Sequence, residues 1–423
     1  MTDATGENSG NCKNGKSDEG GKSGKLQPKL RFKGFTDAWE QRALGELIPH
    51  KRVTVNPVSG TYYRLWSIPS YDAGNPELVD GNQIKSTKQI VQNNDVLLGK
   101  INPRINRVWV VAIQPLDLAI NIASTEWIIF RSTTNNSFDP YFILSFLSAP
   151  NTRTRLMSEV TGATGSQKRF QPASIAQHPY YTSSLPEQEC IGSLFRCLDS
   201  LIAAAERKAR LLRKKKHAYL NHIFTQHLRF TGHTTPWQTK KLGNIADIVG
   251  GGTPSTIRPE YWDGGIQWFT PAEITKAQAY VSNSTKTITE LGLSKSSARL
   301  LPGNRTILFT SRASIGETAL LTVDATTNQG FQSIVLKDGI NRYFIYCMVS
   351  NLRRYAQRMA SGSTFLEISN HQLAKAPVYI PDSSEQAEIA RFFQTLDSLI
   401  AAAERKVNLL KKKKQAYLQK MFI

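Results

Sequence analysis

No stretch of this 423-residue chain approaches the roughly 18 consecutive apolar residues of a membrane-spanning helix. The N-terminus also lacks the apolar core of a secretory leader, so a cytoplasmic location is expected. Cysteine is scarce: Cys12, Cys190, Cys197 and Cys347 form neither a CxxC pair nor a disulfide framework, as expected for free thiols in a reducing compartment. Motifs for catalysis are missing as well. Gly250-Gly251-Gly252-Thr253-Pro254-Ser255 is glycine-rich but lacks the Gly-Lys-Ser/Thr ending of a phosphate-binding loop, and Thr161–Ser166 fails the same spacing. The seven histidines show no metal-ligand spacing, so no metal site and no catalytic residue are expected.

What the chain has is positive charge and a repeat. Lys and Arg number 53 against 33 Asp and Glu, a formal net charge of +20. The glycine-, serine- and lysine-rich residues 1–27 contribute none of it and, having no aromatic, are expected to be a disordered tail. A basic excess of this size on a folded body points to a polyanion, usually nucleic acid. Residues 187–224 and 385–422 align at an offset of 198 without a gap, and 24 of the 38 positions are identical. The same offset pairs Leu30-Arg31-Phe32-x-Gly34 with Leu228-Arg229-Phe230-x-Gly232, Trp39 with Trp237, and Leu44-Gly45 with Leu242-Gly243. The expected division is a globular domain over 28–184, a helix over 185–225, a second domain over 226–382 and a second helix over 383–423.

Both domain bodies alternate short Val/Ile/Thr-rich runs with turns, for example Ile84–Leu98, Val108–Ile113, Glu126–Phe130, Thr306–Thr310 and Ala319–Val323, an α+β pattern. Asp139-Pro140-Tyr141-Phe142 and Asn341-Arg342-Tyr343-Phe344 read as helix starts, with Asp or Asn as the capping residue. The first resembles an amino-methyltransferase motif superficially but lacks its second proline, and its counterpart marks the position as a cap.

Within the duplicated segment, apolar residues recur in steps of three and four. They are Phe195, Leu198, Ile202, Ala205, Ala209, Leu212, Tyr219 and Ile223, matched by Phe393, Leu396, Ile400, Ala403, Val407, Leu410, Tyr417 and Met421. Lys216 and Lys414 interrupt this seam. Helices of about 57 Å need a partner along their length, and the matching seams make each the natural partner of the other. The short link from Phe224 to Leu228 favours an antiparallel coiled coil over two core helices of one bundle. The clusters Arg213–Lys216 and Lys411–Lys414 fit either a solvated face matched to the helix dipole or a phosphate or partner contact.

Turns beside strands gather residues able to touch base edges. They are Lys100, Asn102, Arg104, Arg107, Lys168 and Arg169 in the first body, and Thr253, Ser255, Ser311, Arg312, Ser314 and Thr364 in the second. Each cluster also fits an ordinary exposed loop.

Together these residues resemble the specificity subunits of type I restriction–modification systems. The resemblance spans residues 28–423 and rests on two bodies with near-identical helices. It also rests on Leu185-Pro186-Glu187-Gln188, Glu385-Gln386, and Gly251–Ser255 with Tyr261-Trp262 and Ile266-x-Trp268. It implies two target-recognition domains, each reading half of a bipartite, asymmetric double-stranded DNA target, with the helices as a ruler between them. It further implies two modification subunits that bind S-adenosylmethionine and methylate adenine, and restriction subunits that use ATP and Mg. This chain itself would then be non-catalytic and bind no cofactor. The first body has no evident counterpart of Gly251–Ser255.

Overall fold

The computed structural model describes residues 26–115, 117–133, 137–162, 168–274, 279–312, 314–362 and 366–423. The expected tail, up to residue 25, lies outside them, as does Thr364. The chain forms two compact units, one made of residues up to Ala203 with Asn408–Ile423, the other of Ala204–Val407. Each unit therefore contains one α+β body and a segment of each long helix, Leu185–Phe224 and Ser383–Met421. Among the described residues no helix is long and apolar enough to cross a membrane.

In the first unit a five-stranded sheet has the order Thr54–Val55, Lys88–Ile90, Ile120–Ala123, Tyr62–Trp66, Glu77–Asp80. A three-stranded sheet sets Val96–Gly99 between Val108–Val110 and Trp127–Phe130. The Ile84–Leu98 run is two strands rather than one. Asn94 takes a left-handed φ of 70° and the Asp95 carboxylate accepts the Gln92 N–H at 2.8 Å, which closes a turn between them. In the second unit the five-stranded order is Ala246–Gly250, Gln332–Leu336, Thr306–Phe309, Thr318–Leu321, Tyr280–Val281. Its three-stranded sheet places Trp262–Phe269 between Lys286–Ile288 and Ala325–Thr327. The strands Val96–Gly99, Trp127–Phe130, Thr306–Phe309 and Thr318–Leu321 are buried, largely apolar runs, as strands covered on both faces require.

Both helix starts form as read. Asp139 caps Pro140–Ser148 by accepting the Phe142 N–H at 2.7 Å. Asn341 caps Arg342–Cys347 by accepting the N–H groups of Tyr343 and Phe344 at 3.0 and 3.1 Å.

The repeated motifs at the ends of each body turn out to build its frame. Glu187, with no exposed side-chain surface, accepts two hydrogen bonds from Arg31 at 2.6 and 2.8 Å. Glu385 accepts two from Arg229 at 3.0 and 2.6 Å and a third from the Trp237 indole at 3.0 Å. The neighbouring glutamines hold the next helix: Gln188 accepts the Asp139 N–H at 3.2 Å and Gln386 the Asn341 N–H at 2.9 Å. In each unit a two-stranded ribbon closes the body, Glu40–Ala43 on Pro179–Thr182 and Gln238–Lys241 on Pro377–Ile380.

The long helices pair antiparallel within each unit. In the first, Phe195 stacks on Phe422 and Asp199 accepts from Lys414 at 2.5 Å. In the second, Tyr219 meets Phe392 edge-on, Lys216 donates to Asp397 at 2.6 and 2.7 Å, and Arg213 pairs with Glu404. Along both sequences, one helix's numbers rise as the other's fall. Phe195, Leu198, Ile202, Ala205, Phe393, Leu396 and Ala403 are buried, and Leu212, Tyr219, Ile400, Leu410 and Tyr417 are half-buried. The two seam lysines are half-buried and neutralised by aspartates, so the break in apolar pattern is a hydrogen-bonded ion pair rather than a gap.

Removing one member of a buried ion pair strands its partner's charge, which costs about 3–5 kcal/mol. Glu187→Ala is therefore expected to lower the unfolding free energy of the first unit, measured by urea denaturation, by that order, and Glu385→Ala to weaken the second. A loss below about 1 kcal/mol for Glu187→Ala would remove Glu187 from the frame.

Candidate nucleic-acid interface

The strand Val96–Gly99 ends in a turn that carries four of the first body's candidates. Lys100 donates its backbone N–H to Glu126 at 2.9 Å, and Asn102 takes a left-handed φ of 46°, which Asn tolerates and which turns the chain. The turn then meets a segment some 67 residues later in sequence. Phe170 donates its N–H to Lys100 at 2.9 Å, Asn102 donates to Lys168 at 3.1 Å, and Ile101 bridges Arg169. Lys100, Asn102, Arg104, Lys168 and Arg169 are thus brought onto one edge. Arg104 and Arg169 are exposed; Lys100, Asn102 and Lys168 are half-buried. Burial pushes the Lys100 ammonium below its ordinary value; Glu126 opposes the shift, and the like charges of Arg52 and Arg169 add smaller pushes in the same direction as burial. Arg52 went unnoticed in the sequence because it lies in a different segment.

Arg107 does not belong to this edge. It is buried, and its guanidinium grips Asp72 with two hydrogen bonds of 2.9 Å each, while its carbonyl accepts the Gly99 N–H. An arginine in a turn reads as exposed, but here the fork shape suits a carboxylate on the helix Ile68–Ala73.

In the second body the strand Thr306–Phe309 leads into Thr310–Arg312. Ser311 donates its N–H to Gly330 at 2.8 Å and accepts the Ile368 N–H at 3.0 Å. Its hydroxyl, fully buried, donates to Glu367 at 3.0 Å, so Ser311 orients a neighbour and is closed to a ligand. Arg312 is half-buried and bridges Glu367; Ser314 is exposed.

The Gly251–Ser255 loop joins the same region. Thr253 donates to Gln329 at 2.5 Å, next to the Gly330 that holds Ser311. A Cβ on Gly251 would fall 2.1 Å from the Asn328 carbonyl, and one on Gly252 2.3 Å from the Ala298 nitrogen. Those contacts explain two successive glycines. The Gly252 carbonyl accepts from the Trp268 indole at 2.8 Å and the Ser255 carbonyl from Trp262 at 3.1 Å. The tryptophans of the motif hold its loop, leaving Thr253 and Ser255 exposed.

His233, Asp382 and Glu385 bring possible ligand atoms within 4.8 Å of one another. Glu385 is occupied by Arg229 and Trp237, and His233 meets Glu388 at 2.8 Å, which accounts for the cluster as a hydrogen-bonded one.

Comparison with known proteins finds similarity over part of the chain. Residues 234–412 match the Type I restriction modification DNA specificity domain. The chain is 36% identical over 179 residues to the Type I restriction enzyme MjaIX specificity subunit of Methanocaldococcus jannaschii, covering 42% of this chain and 41% of that protein. It is 30% identical over 244 residues to the EcoR124I/EcoR124II specificity subunit of Escherichia coli, covering 54% and 58%. The matched stretches thus span about half the length of these relatives. The fold resembles that of the S subunit of a type I restriction–modification system from M. genitalium, with a TM-score of 0.60 at 14% identity over 94% of this chain and 99% of that one. A chain in a solved structure on assembly of the type I R-M system gives 0.55 at 19%, over 90% and 96%. Residues 234–412 thus match a type I specificity domain, and the fold of the described residues resembles that of a solved S subunit.

Hydrogen bonding to Arg107 holds the Asp72 carboxyl below its usual range. The pair's contribution is therefore fully present above the ordinary carboxylate value near pH 4 and lost as pH falls through the depressed one. Arg107→Ala is expected to lower the thermal midpoint at neutral pH and Arg104→Ala to leave it unchanged. Equal midpoints for the two variants would mean that the Arg107–Asp72 pair does not support the fold.

Proposed function

We propose that this chain is the non-catalytic DNA-specificity subunit of a type I restriction–modification complex, reading a bipartite, asymmetric duplex target with one half-site per body. The observation that carries this reading is a common frame with unlike contents. The same Arg–Glu pair, capping glutamine, closing ribbon and strand-end turn recur in both units, while the residues exposed on the turns differ. Different half-sites require different exposed side chains on one scaffold. The basic excess supplies sequence-independent attraction to phosphate. In this reading two modification subunits bind S-adenosylmethionine and methylate adenine, restriction subunits use ATP and Mg, and the assembly works in the cytoplasm.

The test is binding by the full chain assembled with its modification subunits, measured by gel shift over a range of salt. Sequence-selective binding that weakens with salt is expected; binding indifferent to sequence would overturn the proposal. Arg104→Ala and Arg312→Ala are each expected to relax one half-site only, by roughly 1–3 kcal/mol at one position. A uniform loss on every sequence would make that arginine a phosphate contact.

A further inference from the structure

One position carries opposite chemistry in two equivalent settings. In the first body Arg169 forms bridges with Ile101 and Thr161; in the second, Glu367 forms them with Arg312 and Ser361. The hydrogen bonds agree. Arg169 and Thr161 exchange backbone bonds of 3.0 and 3.3 Å, and Glu367 and Ser361 exchange two of 3.1 Å. The next residue, Phe170 or Ile368, is buried and donates its N–H to a residue just beyond a strand end, Lys100 after Val96–Gly99 or Ser311 after Thr306–Phe309. A short helix follows in both, Pro172–Gln177 and Asn370–Ala374. Arg169 and Glu367 are 198 residues apart, the offset of the duplicated helices.

Alternation along an extended segment sends neighbouring side chains to opposite sides. Phe170 and Ile368 point inward, so residues 169 and 367 face out, and Arg169 is exposed and Glu367 half-exposed. A guanidinium offers only donors and a carboxylate only acceptors. A position used to grip backbone phosphates would suit the arginine and repel the glutamate. Base edges accommodate both: guanine presents acceptors to arginine, and the cytosine amino group donates to glutamate. One Glu367 oxygen accepts from the buried Ser311 hydroxyl at 3.0 Å, which fixes the carboxylate. The other has no partner among the described residues.

We propose that residues 169 and 367 are equivalent base-reading positions in the two bodies, Arg169 taking a guanine and Glu367 the amino group of a cytosine. This rests on the DNA-reading function proposed above. It adds Glu367 to the specificity residues and gives Ser311 the role of positioning it.

The experiment selects a randomised duplex DNA library with the full chain and its modification subunits, comparing wild type, Glu367→Gln and Arg169→Gln. Glutamine keeps an acceptor for Ser311 but adds a donor, the pattern that matches adenine. Glu367→Gln is expected to lower preference for cytosine at one position of one half-site by roughly ten- to a hundredfold, with the other half-site unchanged. Arg169→Gln is expected to lose a guanine in the other half-site. If Glu367→Gln fails to fold, Glu367→Asp keeps the charge, shortens the reach and is expected to lose the same discrimination. An unchanged consensus, or an equal loss on all sequences, would overturn the assignment of these residues while leaving the broader function standing. A wild-type complex that selects no consensus would overturn that function itself.

Discussion

Two buried carboxylates hold the architecture together. Glu187 and Glu385 stand at the entry of the long helices, and each is neutralised by an arginine more than 150 residues earlier in sequence. A carboxylate out of water is tolerable only with such a partner, so the beginning of each body is tied to the helix that leaves it. The adjacent glutamine then fixes the first helix of the body's C-terminal half, and the closing ribbon follows from those two attachments. Between those attachments the exposed side chains can differ without disturbing the frame.

That freedom is used at the strand-end turns. Their frame is made almost wholly of backbone hydrogen bonds, which are indifferent to side-chain identity. The side chains that do serve the frame are withdrawn from solvent: Arg107 on Asp72, Ser311 on Glu367, and Trp262 and Trp268 beneath the glycine loop. The exposed remainder, including Arg104, Arg169, Ser255 and Ser314, carries no such duty. Support and display are separated residue by residue.

The helices, their seam, their direction and the caps at Asp139 and Asn341 were legible because periodicity and capping are local properties. So was the α+β character of the bodies. The meeting of Lys100 with Phe170, and of Ser311 with Ile368, was not, since each joins residues more than fifty positions apart through backbone groups that leave no trace in composition. Arg107 and Ser311 misled for the same reason: their turn sequences suggest exposure, and only the tertiary partners Asp72 and Glu367 explain their burial. Glu367 carries no such signal in the sequence, because an acid does not mark a polyanion contact. The Lys216 and Lys414 interruptions were visible, but their meaning needed the aspartates opposite.

Those aspartates give the duplication a sense of direction. Each helix copy carries the same aspartate and the same lysine seventeen residues apart, Asp199 with Lys216 and Asp397 with Lys414. Laid head to tail, every acid finds a base, as observed in both units. Laid side by side in register, acid would face acid and base would face base, with an apolar seam around them offering no relief. A nearly identical pair of sequences cannot tell itself apart by shape; this charge order lets it reject its own parallel image.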